Sequence, residues 1–290
     1  MQDALRRLGH RAVLLVRPRL RPDPTALAAL PVDEPDVRLR LAVAGDVGHP
    51  SPQLRATVAT MVAVSRDRPF DGLVLLGDNV YPDGDPARVA EAVLAPFAPV
   101  LDEGVPLFAV LGNHDVQSGR GDEVARRLGM PGRWYQRDLG DVRLIGLDST
   151  QPASAVQRAW LEATLAQPGP GWTVVALHHP PWSAGWHGSD PDVARELDPV
   201  LRRHHVDLVL SGHEHDYERS VPIDGTTYVV SGAATHLRPT ARAAFTAAAW
   251  ATRHFLDVRV VGDRLVVRAV DHAGLVVDAV SLPRRLAPVP

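Results

Sequence analysis

Five apolar segments, each of a length suited to a buried strand, end in a Gly- or Pro-containing turn that carries Asp, Asn or His. The turns are Gly45-Asp46-Val47-Gly48, Gly77-Asp78-Asn79-Val80-Tyr81, Gly112-Asn113-His114-Asp115, Leu177-His178-His179-Pro180 and Gly212-His213-Glu214-His215. Short continuous apolar runs are what strands buried on both faces look like, and parallel strands bring their ends to one edge of a sheet. Ligands of open α/β sheets bind in the crevice outside those ends. Residues as far apart as Asp46 and His215 are thus expected at one locus. A single Gly-Asp turn is an ordinary loop and a single His-x-His is ordinary surface polarity. Five such turns at successive strand ends point to a built site.

Between the turns, strand and helix patterns alternate. Strand patterns cover 38–44, 73–76, 106–111, 142–147, 173–177 and 206–210. Helical patterns cover 52–65, 86–102, 155–166 and 192–204, with Asp85-Pro86 as N-cap and first helical residue of the second. The remainder reads as strands over 227–230, 255–261, 265–269 and 275–281, separated by Asp224-Gly225, Gly262-Asp263 and Ala273-Gly274 turns. The expectation is an α/β fold with one domain over 38–282, a basic, Pro-rich N-terminal arm over 1–37 and a short tail over 283–290.

What the chain lacks narrows the chemistry. It has no Cys, which excludes thiolate zinc sites, Cys nucleophiles and disulfides. All 31 basic residues are Arg, which excludes Schiff-base and P-loop chemistry that depends on Lys. A net charge of −3 gives no reason to expect nucleic acid as a partner. The apolar stretch from Ala12 to Val16 is well short of the ~20 residues of a spanning helix and lacks the features of a secretory signal, so no membrane span is expected and cytoplasmic is the default compartment. Oxygen and imidazole donors without sulfur suit iron, manganese or zinc. The donors outnumber those of one tetrahedral ion, so two ions sharing a carboxylate are expected. Ions ~3.5–4 Å apart hold a phosphate and acidify bound water, which serves in-line attack on phosphorus.

The motifs resemble those of the calcineurin-like metallophosphoesterases, and more narrowly the purple acid phosphatase branch. Most of the wider family has Asp-x-His in the first motif, whereas this chain has Asp46-Val47-Gly48, with His49 one residue out of register. The branch pairs that Gly with a Tyr three residues after the second Asp, and Asp78-Asn79-Val80-Tyr81 matches. Gly212-His213-Glu214-His215-Asp216-Tyr217-Glu218-Arg219 is similar to the branch's GHxHxYER, and His178-His179-Pro180-Pro181-Trp182-Ser183 also fits.

The resemblance implies a four-layer α/β/β/α sandwich of two mixed sheets. It also implies hydrolysis of phosphate monoesters by a hydroxide bridging two metal ions. By position, Fe3+ would be held by Asp46, Asp78, Tyr81 and His215. A divalent ion (Fe2+, Zn2+ or Mn2+) would be held by Asp78, Asn113, His178 and His213, with Asp78 as the bridge. His114 and His187 would contact phosphate oxygens or protonate the leaving alkoxide. His179 and Asp115 are expected to orient the ligands, His49, His204 and His205 to face solvent, and Glu218 and Arg219 to pair with each other.

The partner implied is a small phosphorylated substrate, with diester or nucleotide hydrolysis as the alternative on the same metals. A non-catalytic protein that keeps the fold is a further alternative. Trp134, Tyr135, Trp182 and Trp186 lie in loops 116–134 and 183–192 or beside them, placed either to stack on a nucleoside or to pack those loops.

Overall fold

A computed structural model describes residues 36–284 other than Glu103; the expected arm over 1–35 and residues 285–290 lie outside the described residues. In one sheet β1 (Val37–Ala44), β2 (Gly72–Leu75) and β3 (Leu107–Ala109) run parallel. The antiparallel meander β11 (His254–Val261), β12 (Arg264–Asp271) and β13 (Val276–Pro283) extends that sheet beyond β1. Pro283, expected in the tail, is thus paired with Arg264 at the end of β13.

The second sheet has a parallel centre of β5 (Val142–Gly146), β6 (Trp172–Ala176), β7 (Leu208–Ser211) and β9 (Thr227–Ser231). β4 (Tyr135–Leu139) closes one side of it, and β8 (Tyr217–Ser220) and β10 (Thr246–Trp250) close the other.

Three apolar layers make this a four-layer α/β/β/α sandwich. Alternation along β1 shows how. Leu39, Leu41 and Val43 point toward the other sheet and pack in one cluster with Leu144, Val174 and Leu208. Ala42 and Ala44 point the other way, into a cluster with Leu54, Val58 and Met61 of α1 (Pro52–Val64) and Phe97 of α2 (Ala95–Leu101). On the outer face of the second sheet, Ile145, Val175 and Val209 pack with Leu161 of α5 (Ala155–Leu165), Val193 of α6 (Pro191–Glu196) and Val200 of α7 (Asp198–Arg203). Both faces of the central strands are covered, which is why they read as continuous apolar runs. α3 (Asn113–Val116) is a single turn at the end of β3, and α4 (Gly121–Arg127) follows it.

Several sequence expectations are corrected. The expected helix over 86–102 is a 3-10 turn, a π turn over Ala90–Leu94 and then α2. Pro96 and Pro99 have no N–H to give and disturb the helical ladder there. The expected helix over 192–204 is two helices, broken at Asp198-Pro199 for the same reason. Strands β4, β8 and β10 and helix α4 were not expected.

Glu218 and Arg219 do not pair with each other, because adjacent residues of a strand face opposite sides of the sheet. Arg219 instead binds Asp278 of β13 at 2.6 and 3.1 Å, and the Tyr217 hydroxyl donates to the same carboxylate at 2.6 Å. The residue pair i, i+2 on β8 thereby pins the two sheets together. His204, expected to face solvent, is half-buried and meets Glu162 at 2.6 Å.

Candidate metal centre

The turns that follow β1, β2 and β3 in one sheet and β6 and β7 in the other meet at the edge the two sheets share. The backbone there is tightly specified. Asp46, Asp78 and His213 adopt positive φ (58°, 51° and 70°), a region that non-glycine residues enter at a cost and that is found preferentially at functional sites.

Gly48 explains why the first motif holds no His. Its N–H bonds the Asp78 carbonyl at 2.9 Å and its carbonyl accepts from the Tyr81 N–H at 3.1 Å. A Cβ at 48 would sit 2.5 Å from backbone atoms of Asn79 and Val80. The close approach that bars a side chain at 48 is the same one that swings Tyr81 over the two aspartates.

The geometry follows from those turns. The Tyr81 hydroxyl lies 3.1 Å from Asp46 Oδ1, 3.0 Å from Asp78 Oδ2 and 3.4 Å from His215 Nε2. His215 Nε2 is 3.3 Å from Asp46 Oδ1. On the other side of Asp78, His178 Nε2 lies 3.5 Å from Asp78 Oδ1, 3.1 Å from Asn113 Oδ1 and 3.3 Å from His213 Nδ1. All seven residues named as ligands are therefore brought together, and Asp78 stands between the two groups. Among the described residues, ligand atoms of Asp46, Asp78 and His178 lie within 4.8 Å of one another, as do those of His178, His179 and His213.

These residues fit metal ions on a ground independent of motif. His178 Nδ1 is held 2.8 Å from the Leu76 carbonyl, an acceptor, so Nδ1 carries the proton and Nε2 is a lone pair. That lone pair faces the Asn113 amide oxygen and an Asp78 carboxylate oxygen, both acceptors. Acceptors this close, buried and without a proton between them, are held together by a cation.

The electrostatics agree. Burial, reinforced by the imidazoles around it, holds His178 in its neutral form. Burial and neighbouring His178 push His213 down to about 2, and burial with the Arg238 charge pushes His215 down to about 4. Neutral imidazoles are the form that ligates. Burial and the charges of Asp46 and Asp78 raise the Tyr81 pKa, so a phenolate there requires a highly charged cation within bonding distance.

Asp115 is buried behind these groups and accepts from the N–H groups of Asn79, Val80 and Gly112 at 2.8–2.9 Å, stitching the second turn to the third. His179 meets the Ser149 hydroxyl at 2.9 Å and packs its ring 4.7 Å from that of His213.

The two expected catalytic histidines flank the centre on opposite sides. His114 lies edge-on to Tyr81 at 4.5 Å, with Nδ1 against the Pro82 carbonyl and Nε2 3.9 Å from Asp78. His187 stacks on His213 at 4.5 Å and meets Glu214 at 3.2 Å. Its loop is clamped by buried Glu218, which accepts from the Ser183 hydroxyl and from the N–H groups of Ala184 and Gly185. Of the aromatic candidates, Tyr135 is buried with its hydroxyl on the Ala109 carbonyl, and Trp182 is bonded to Asp198. Trp186 alone is strongly exposed, at 70%.

Sequence reasoning missed His236 and Arg238. Arg238 Nη1 lies 2.9–3.0 Å from both ring nitrogens of His187, and His236 stacks 5.7 Å from His215. The signal was present. β9 is another parallel strand ending on the same edge, and Gly232-Ala233-Ala234-Thr235-His236 follows it.

A two-sheet α/β/β/α sandwich that gathers carboxylate, amide, phenol and imidazole groups at its strand ends has the architecture of the metallophosphoesterases. Residues 39–217 match the calcineurin-like phosphoesterase family, and the chain belongs to it. It is 27% identical over 224 residues to mouse (Mus musculus) tartrate-resistant acid phosphatase type 5, a match covering 66% of each chain, slightly less than two thirds of that relative's length. Its fold is similar to that of the purple acid phosphatase PPD1 from yellow lupin (Lupinus luteus) seeds, with a TM-score of 0.74 and 18% identity over 84% of this chain and 53% of that one. It is equally similar to GAP50, described as the anchor in the inner membrane complex of Plasmodium, with a TM-score of 0.76 and 18% identity over 87% of this chain and 90% of that one. Among the described residues no helix is long and apolar enough to cross a membrane.

Proposed function

We propose that the protein hydrolyses phosphate monoesters of small molecules at a dinuclear centre, with Fe3+ at Asp46, Asp78, Tyr81 and His215 and a divalent ion (Fe2+, Zn2+ or Mn2+) at Asp78, Asn113, His178 and His213. The observation that carries the reading is the convergence of mutually facing acceptors around Asp78. Bound there, the two ions would supply a nucleophile at moderate pH and neutralise charge on the phosphate. The protein's own groups do the rest. His187 and Arg238 present N–H donors on one side for non-bridging phosphate oxygens. His114, a third exposed on the other side, is in position to give a proton to the departing alkoxide. Glu218 and Glu214 hold the 183–187 backbone so that His187 keeps its place over His213.

Metal-loaded protein is expected to turn over p-nitrophenyl phosphate faster than its bis-ester. A strong preference for the bis-ester would instead favour the diesterase reading, for which exposed Trp186 beside His187 is a platform. The oxidised protein should absorb visible light, and Tyr81→Phe should lose that band. A colourless, fully active protein with two zinc ions removes the ferric assignment and leaves the phosphatase. The similarity to an anchor protein makes metal content informative too: a chain that takes up no transition metal under any loading is not an enzyme of this kind.

A further inference from the structure

Next to the metal centre, and separated from it by the His236 ring, lies a pocket of about 330 Å³ lined by His49, Gln53, Thr235, His236 and Arg253 together with the first turn of α1. Its lining contains no acidic residue. Arg253 gives its Nε–H to the Thr235 carbonyl at 3.0 Å, and its terminal N–H groups have no partner among the described residues. His49 and His236 lie 5.2 Å apart, centroid to centroid. The 13-residue helix α1 begins here, capped by Ser51, and turns its positive end toward the same space. In a chain without Lys, imidazole, guanidinium and a helix end are the means available to hold an anion.

The pocket is tied rigidly to the centre. The Thr235 hydroxyl donates to the Asp46 carbonyl at 2.8 Å and lies 3.0 Å from His236 Nδ1. The other side of the His236 ring meets His215 at 5.7 Å and Tyr81 at 6.2 Å. A molecule with one phosphate at the metal centre would reach this pocket by passing around a single imidazole.

We propose that this pocket is a second anion subsite, which takes the non-reacting phosphate of a bisphosphorylated small molecule whose other phosphate sits at the metal centre. The proposal deepens the phosphatase reading above and rests on it. It names the substrate class: compounds carrying two phosphates separated by a short carbon chain. The subsite itself uses no metal, only Arg253, His49 and the α1 end, with the neutral His236 ring as its wall toward the centre.

The test uses non-hydrolysable probes, so binding is read without turnover. Propylphosphonate and propane-1,3-diphosphonate are titrated into the metal-loaded full chain by calorimetry. With one more charge-assisted contact set, the diphosphonate should bind at least about tenfold more tightly. Gln53→Glu puts a negative charge at the pocket while favouring the α1 N-terminus, and should cut that ratio to below about threefold. Arg253→Gln should do the same. Equal affinity of the wild type for both probes overturns the subsite and leaves the phosphatase reading standing. A ratio unchanged in both variants overturns it as well, by showing that the second phosphonate binds elsewhere. A metal-loaded protein that binds neither probe fails at the metal centre, and both readings fall together.

Discussion

His254 is fully buried where β11 begins, bonded through Nδ1 to the Thr252 carbonyl and through Nε2 to the Ser231 hydroxyl, both at 2.9 Å, with the Tyr217 ring edge-on at 5.2 Å. Burial pushes its pKa down to about 4 from an ordinary 6.5, although the Thr252 carbonyl and Asp271 oppose this. Between those two pH values the unfolded chain takes up a proton at this residue and the native chain does not. Stability is therefore intact above pH 6.5 and is lost progressively as the pH falls toward 4, where the loss is complete. The full window corresponds to about 3 kcal/mol, and the part between roughly pH 7.5 and 4.5 to about 2.5 kcal/mol. His254→Gln keeps one donor and one acceptor but cannot be charged. Urea unfolding of metal-loaded wild type and variant across that range should show the wild type losing about 2.5 kcal/mol more than the variant. Any acid-induced metal loss is common to both proteins and cancels in the difference. Parallel stability–pH curves would refute the claim that His254 is held neutral by burial.

Three further outcomes follow from particular contacts. Gly48→Ala forces a Cβ into the backbone at 79–80; it should cost about 1–3 kcal/mol and displace Tyr81, so the visible band weakens or shifts, which absorption and thermal melting will check. Glu218→Gln weakens the clamp on 183–185 without touching a ligand; kcat/KM should fall on the order of tenfold while metal content stays at two ions per chain. Arg40→Met removes a bidentate partner of buried Asp257, at 2.9 and 2.7 Å; because Arg259 still pairs with Asp257, the cost should lie near the low end for a broken buried pair, about 3 kcal/mol by urea unfolding.

What the sequence made legible and what it hid follow one physical distinction. Strands such as β1, β2 and β7 are covered on both faces, so burial alone dictates apolar runs, and the turns at their ends stand out as the places where polar side chains are tolerated. β4 (YQRDL) and β10 (TAAAW) are edge strands, and β8 (YERS) lies next to one; their identity comes from pairing with a neighbour, and their residues carry little β preference of their own. The break at Pro199 and the irregular turns ahead of Pro96 were readable from the missing N–H groups, but the apolar period runs through them and masked the interruption. The residues proposed as metal ligands were legible because each follows a parallel strand. His236 and Arg238 obey the same rule on β9 and were missed only because no ligand-type residue follows that strand at once.

The Tyr217-Glu218-Arg219 segment shows why a motif of adjacent residues is not a cluster. Strand period sends Tyr217 and Arg219 to Asp278 on the opposite sheet and sends Glu218 outward to the 183–185 backbone. One short strand thus fixes two distances at once. The first is the spacing of the two sheets, hence of the Asp46 and Asp78 turns from the His213 and His215 turn. The second is the position of the loop that carries His187 over His213. Losing Arg219 should loosen the metal centre itself, whereas losing Glu218 should leave the metals in place and free the loop. The two substitutions are therefore expected to separate metal affinity from turnover, which a cluster of three residues acting together could not do.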